Sequence, residues 1–365
     1  MQEFLKRASW GGAAWSPLPG DASTRRYIRL DHEGGSAMLM DQPQNAEAPQ
    51  CPPGATSEER KALGYNAVAR LAGADCARFV AVADFLRGRG LSAPMVYAAD
   101  VTNGFVLIED LGDDLYANVL SNGHGGEEHA LYAAAIDALG KLHSETAPAG
   151  LGGGKPLHAY DETALLAETD LMTEWFIPLA LGRTAAKDER DEHREFWREA
   201  LGPVLAAPPV FVHRDYHAQN LFWLPERDGA ARVGIIDFQD AVAGAAGYDL
   251  ISLLEDARRD VAPELAEAMT QRYIDTRRKT DASFDGEEYR AQAAVMAAQR
   301  NAKIAGIFAR LYERDGKPRY LSYLPRVWSY LERDLQHPAL APLKRWYDRK
   351  IPAEARHRTI VGEAA

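Results

Sequence analysis

The sequence predicts an α+β chain of two lobes, a β-rich N-terminal lobe with one main helix and a mostly helical C-terminal lobe. Two patterns carry this expectation. Short apolar runs punctuated by glycine and proline fill the first 110 residues, whereas apolar residues at helical spacing fill most of the remainder. At 365 residues the chain is long for one simple domain, so the lobes are assigned to 1–110 and 111–350, with 351–365 as a polar tail with little to pack.

Residues 10–40 read as LPGDAST, RRYIRL, HEGG and SAMLM, which are β-like runs separated by turn signals and hence an antiparallel sheet. QPQNAEAPQCPPGAT is rich in proline and small polar residues and is expected to be a loop. Phe79, Val82, Phe85 and Leu86 mark a helix over 77–86 that ends near Gly88 and Gly90. APMVYAAD and GFVLIED are two further strands, and the lobe boundary falls near Leu111. Beyond it, Leu131, Ala135, Ala138, Leu139 and Leu142 form one helical face over 128–143, and Ile304, Ile307, Phe308 and Leu311 form another. Two short apolar runs, 210–212 and 233–236, each lead into an aspartate-bearing segment, so two buried strands are expected to end at one polar site.

Hydrophobic residues at 46% and charged residues at 26% are ordinary soluble values. The net charge of -11 argues against general binding to nucleic acid or acidic membranes. No signal peptide and no run of about 18 apolar residues is visible, so a cytoplasmic enzyme is expected. Cys51 and Cys76 have neither disulfide-framework nor zinc-site spacing and are read as free thiols. GLGGGKP at 150–156 is no phosphate loop: Ala149 stands where the first glycine belongs and Pro156 where Ser or Thr must be. It is read as a connector.

The chemistry gathers in HRDYHAQN, residues 213–220, and in Asp237 at the end of VGIID. A carboxylate beside a substrate hydroxyl can accept its proton, while an amide oxygen and a second carboxylate are the hard ligands magnesium prefers when it also holds ATP phosphates. Asp-x-x-x-x-Asn followed by an apolar run and Asp-Phe is therefore a phosphoryl-transfer signature, with Asp215, Asn220 and Asp237 as its members. As isolated residues they would merely cap turns and end a strand. The coincidence of three placements in order favours function.

HRDYHAQN, IIDF and GYDL resemble the aminoglycoside-phosphotransferase branch of the protein-kinase-like two-lobed fold. The resemblance implies Asp215 as base, Asn220 and Asp237 as magnesium ligands, and Asp249 as a group anchoring the catalytic loop. It also implies a nucleotide loop in PGDASTRRYIRL, where Gly20, Ser23 and Thr24 allow amides near the phosphates and Arg25 or Arg26 neutralises them. FVLIEDLG, with Glu109 and Leu111, becomes the adenine-binding hinge. One departure stands out: SAMLMDQP has Met40 and Asp41 but no phosphate-binding lysine, and the following helix offers Asp84 but no glutamate. Either an arginine replaces the lysine or the protein is a nucleotide-binding pseudokinase. Retention of Asp215, Asn220 and Asp237 together favours replacement.

More narrowly, GDASTRRYIRL, LMDQP, IEDLGDDLY, VHRDYHAQNL, IIDFQDA and GKPRYLSYLPRVWSYLERDLQHP resemble the anomeric sugar kinases of bacterial cell-wall recycling, which act on N-acetylmuramate and N-acetylglucosamine. This implies ATP, Mg2+ and a small amino-sugar partner; another acceptor of aminoglycoside, choline or homoserine type is the alternative. Within DLMTEWFIPLALG, Trp175 offers a flat face to a sugar and Glu174 a hydroxyl partner, although an aromatic at such spacing is more often core. Gln239 and Asp240 are further acceptor candidates, and Arg214 suits an acidic acceptor or a neighbouring acid. His213 is read as a buttress, and His217 as a buttress or phosphoryl contact. His32, His124, His129 and His193, in polar contexts, receive no role.

Overall fold

In the computed structural model, which describes residues 1–19, 25–43, 48–73, 75–121 and 127–357, the chain divides into two compact units. The first comprises Met1–His158 and His213–Val242, and the second Ala159–Val212 and Ala243–Ala365. The segment carrying HRDYHAQN and Asp237 thus groups with the N-terminal sheet.

The first unit begins with α1 (Gln2–Arg7), β1 (Ala14–Pro17), β2 (Arg26–His32) and β3 (Gly35–Asp41), followed by α2 (Ser57–Leu63) and α3 (Cys76–Gly88). β4 (Val96–Asp100), β5 (Phe105–Glu109), α4 (Tyr116–Ser121) and α5 (Glu128–Leu142) complete its first segment. The five strands form one antiparallel sheet in the order β1-β2-β3-β5-β4. Alternation sets its faces: Ile28, Leu39 and Leu107 are register partners on one face, buried against Phe4 and Leu5 of α1. Tyr27, Met40 and Val106 are partners on the other.

The helix expected over 77–86 is α3, begun by the Asp75 side chain accepting from the Ala77 amide at 2.9 Å. The unit holds more than the one expected helix. α1 is six residues long, too short to show a period, and α2 has little apolar content but carries a Thr56–Glu59 capping box. The 150–156 connector contains a single tight turn, Gly152–Gly154, in which Gly153 and Gly154 have φ of 64° and 71°.

After α5 the chain forms α6 (Glu162–Leu171), α7 (Ile177–Leu181), α8 (Lys187–Ala206) and β6 (Val210–Val212) in the second unit. It returns to the first for β7 (Leu221–Trp223) and β8 (Val233–Ile235), an antiparallel pair. It then passes through β9 (Val242–Gly244) into α9 (Gly247–Leu254), α10 (Pro263–Thr280), α11 (Gly286–Glu313), α12 (Leu324–Asp334), α13 (Ala341–Lys350) and α14 (Ala353–His357). Among the described residues no helix is long and apolar enough to cross a membrane.

Three local expectations in the second unit need correction. The helix read from Ile304, Ile307, Phe308 and Leu311 is α11, but of these only Phe308 is buried; the interior face is the small-residue row Ala302, Ala305, Gly306 and Ala309. A Cβ on Gly306 would lie 2.5 Å from the Leu171 backbone, so close packing with α6 requires glycine. His193 is not in a polar context: it is fully buried among Trp197, Trp346 and Tyr347. Residues 351–357 also pack. Ile351 is buried, and Arg356 pairs with Glu332 at 3.0 Å and Asp348 at 3.1 Å. The sequence pattern missed this because one isoleucine and one arginine stem bury without periodicity.

Candidate functional site

The loop 213–220 is held at both ends by its own polar groups. His213 is fully buried; its Nε2 donates to the Ile236 carbonyl at 2.9 Å and its Nδ1 accepts from the Asp215 amide at 3.2 Å. These two bonds assign the tautomer and tie the residue after β6 to the residue after β8. Asn220 donates through Nδ2 to the Asp215 carbonyl at 2.9 Å, and its own carbonyl accepts from the Ile236 amide at 3.1 Å. The Tyr216 hydroxyl donates to the Ala135 carbonyl of α5 at 2.8 Å, anchoring the loop to a buried helix.

Two residues here have left-handed backbones without being glycine, Arg214 at φ 79° and Asp237 at φ 60°. Such conformations cost about 1–3 kcal/mol each, so they persist where surrounding bonds over-determine them. Asp237 Oδ1 accepts from Arg25 Nη1 at 3.1 Å and from Gln239 Nε2 at 2.8 Å. Arg214 is buried, and its Nη1 donates to the Arg70 carbonyl at 2.8 Å.

The loop after Asp237 is clamped by arginines the sequence reading did not single out. Arg78 of α3 is buried and donates to the carbonyls of Gln239 at 2.7 Å, Ala241 at 2.5 Å and Pro156. Arg70 Nε pairs with Asp240 Oδ2 at 2.7 Å. A signal for Arg78 was available: it falls beside Phe79 and one turn before Val82, on the stripe that α3 buries. Asp84, the only acid that reading noted on this helix, is exposed. Helix α3 therefore reaches the loop through a guanidinium on main-chain oxygens rather than through a carboxylate.

Arg25 and Arg26, left as alternatives by the sequence, separate clearly. Arg26 is exposed and paired with Asp41 at 2.6 Å, whereas the Arg25 side chain is 4% exposed and reaches Asp237. Burial opposes the charge on Arg25, but Tyr27, Asp237 and Asp240 outweigh it and raise its pKa. Gly20, Ser23 and Thr24 lie outside the described residues, as does His124.

At the expected hinge, Glu109 accepts from Arg227 at 2.5 Å and from the Met95 amide at 3.0 Å, and Leu111 is buried. Arg29 pairs with Asp110 at 2.8 Å and Asp113 at 2.7 Å just beyond it. A cavity of about 520 Å³ follows, lined in part by Asp113, Asp114, Asn118 and Trp223.

Residues 14–283 match the model of the phosphotransferase enzyme family. The chain belongs to that family. This phosphotransferase is 46% identical over 359 residues to a Caulobacter vibrioides protein named N-acetylmuramate/N-acetylglucosamine kinase, covering 97% of this chain and 96% of the relative. A Pseudomonas aeruginosa protein of the same name is 33% identical over 351 residues, covering 94% and 91%. The crystal structure of an ADP-bound aminoglycoside phosphotransferase shares the fold, with a TM-score of 0.53 at 16% identity over 93% of this chain and 96% of that one.

Of the expected site residues, the first unit of the phosphotransferase brings together Arg25, Arg214, Asp215, His217, Asn220, Asp237, Gln239 and Asp240. Arg26, Glu109, Leu111 and His213 also lie in the first unit, and the second carries Glu174, Trp175 and Asp249. Asp249 is fully buried in the first turn of α9, and Glu174 and Trp175 lie on the π-helical turn Met172–Phe176, exposed and half-buried respectively.

The donor set fits a magnesium–nucleotide pair. With Asn220 Nδ2 committed to the Asp215 carbonyl, the amide presents Oδ1 as a hard ligand. The Asp237 side chain is 43% exposed, and among the described residues both its bonds fall on Oδ1. No cluster of three or more His, Cys, Asp or Glu among the described residues could hold a metal. Two oxygen ligands plus phosphates are the usual magnesium arrangement in such sites.

Proposed function

We propose that this phosphotransferase transfers the γ-phosphoryl group of ATP to the anomeric hydroxyl of N-acetylmuramate, N-acetylglucosamine or both, yielding the sugar 1-phosphate and ADP. The observation that carries the reaction is the placement of Asp215, Asn220 and Asp237 in one bonded loop system with a buried cation on Asp237. The acceptor is supported by near full-length likeness to relatives named for these two sugars.

In this reading the sugar oxygen forms the new bond to the γ-phosphorus as the bond to the bridging oxygen of ADP breaks. Asp215 orients the hydroxyl and takes its proton. An anomeric hydroxyl is more acidic than an ordinary alcohol, so little driving force is asked of the base. Asn220 Oδ1 and Asp237 would hold magnesium, which supplies charge neutralisation on the phosphates when bound. The backbone at Glu109 and Leu111 is the proposed adenine contact, and the carboxylates of Asp113 and Asp114 just beyond it suit ribose hydroxyls. Arg214 and Asp240, joined through Arg70, hold the loop in register. Asp249, fully buried in the first turn of α9, has a structural role.

Asp215→Asn tests the reading. Turnover is expected to fall about 10²- to 10⁴-fold, the range for a lost general base, with ATP affinity nearly unchanged. Unaltered turnover would remove Asp215 from the mechanism.

A further inference from the structure

Strand β3 carries Met40 and Asp41 but no lysine, and the face that Met40 shares with Tyr27 is continuous with Arg25, the residue before β2. The Tyr27 hydroxyl contacts Met40 Sδ at 3.6 Å, so this face of β3 offers a thioether rather than a cation. Arg25 enters from the neighbouring strand, is buried, and terminates on Asp237. A buried guanidinium needs an anion, and Asp237 is the carboxylate that Arg25 hydrogen-bonds, with Asp240 adding attraction. Asp237 is also the carboxylate proposed above to hold the nucleotide's cation.

We infer that Arg25 takes the place of the missing lysine by exchanging partners: it neutralises Asp237 in the nucleotide-free protein and turns to phosphate oxygens when magnesium–nucleotide enters. The inference rests on the kinase reading above. A cation bound at Asp237 repels the guanidinium on the same carboxylate, and the incoming phosphates supply additional negative charge. Arginine suits this exchange because its fork holds a carboxylate and a phosphate with the same geometry. The arrangement also accounts for the exposed, separately paired Arg26, whose partner Asp41 keeps it outside this exchange.

The test compares ADP and adenosine binding by isothermal titration calorimetry, with magnesium and with EDTA, so no turnover is read. Arg25→Met is expected to weaken ADP about 10- to 100-fold, the value of a charge-assisted hydrogen bond, while adenosine affinity stays within a few-fold. Arg25→Lys, which retains the charge at a buried site, is expected to recover most of the ADP preference. Asp237→Asn releases Arg25 and is expected to strengthen ADP binding in EDTA, a gain that the Arg25→Met/Asp237→Asn double variant loses.

Equal weakening of ADP and adenosine in Arg25→Met would show a merely structural arginine and overturn the inference. So would transfer of the phosphate dependence to Arg26→Met. If the unaltered protein fails to prefer ADP over adenosine at all, the kinase reading itself falls. That outcome is distinct from an ADP preference that survives Arg25→Met, which removes only the partner exchange.

Discussion

Asn220 Nδ2 donates to the Asp215 carbonyl at 2.9 Å, closing the five-residue spacing between the two into a ring. That bond fixes which amide atom faces outward and ties the position of the proposed base to that of the proposed metal ligand. Asn220→Ala removes both functions, so the apparent magnesium affinity in the presence of ATP is expected to fall about tenfold or more and kcat with it. Magnesium titration of steady-state rates measures this, and a loss of kcat with unchanged magnesium dependence would limit Asn220 to shaping the loop.

Arg78 carries the link between α3 and the loop after Asp237. Arg78→Met leaves three carbonyls without their donor, and an unfolding free-energy loss of about 3 kcal/mol or more is expected by urea denaturation. The KM for magnesium-ATP should rise in the folded fraction. Arg78→Lys should restore little, because a point charge cannot reproduce the planar fork.

Close packing between α6 and α11 depends on Gly306. Gly306→Ala forces its Cβ toward the Leu171 backbone and is expected to cost about 1–3 kcal/mol of stability, as overpacking does. Thermal unfolding would show it as a lowered Tm.

His193 provides an acid-sensitive element. Burial holds its pKa down at about 3 from the ordinary 6.5, and its Nε2 accepts from Trp197 Nε1 at 2.9 Å, so the ring is neutral in the fold. The unfolded chain binds a proton below pH 6.5 that the folded chain refuses. Stability is therefore unaffected by His193 above 6.5 and is lost as pH falls from there toward 3. Glu189, held down at about 2 by Arg183 and the Ala186 amide, adds a loss in the same direction below its ordinary value of 4.5. His193→Phe should flatten the decline in unfolding free energy between pH 7 and 5; an unchanged slope would place the acid sensitivity elsewhere.

Much of this was legible in the sequence because it is local or periodic. The strands around RRYIRL and SAMLM are β-like runs bounded by turn signals, α3 and α5 carry helical stripes, and Asp215, Asn220 and Asp237 keep a spacing that chemistry demands. What escaped was set by tertiary partners. Nothing local distinguishes Arg25 from Arg26; only the sheet register and the reach to Asp237, 212 residues away, separate them. Arg78 was hidden because an arginine on an apolar stripe looks like a stem lying across the surface, and its three acceptors come from distant loops. α1 has too few residues to show a period, and the inward face of α11 was misread because alanine and glycine mark close helix contact more weakly than isoleucine marks apolarity.

The chemical identity of the product decides whether the protein is an anomeric sugar kinase. With ATP, magnesium and either N-acetylmuramate or N-acetylglucosamine, phosphorus and proton NMR should show ADP together with a phosphate coupled to the anomeric proton. A phosphate on any other hydroxyl, or ATP consumption only with an aminoglycoside, choline or homoserine, would overturn the proposed reaction.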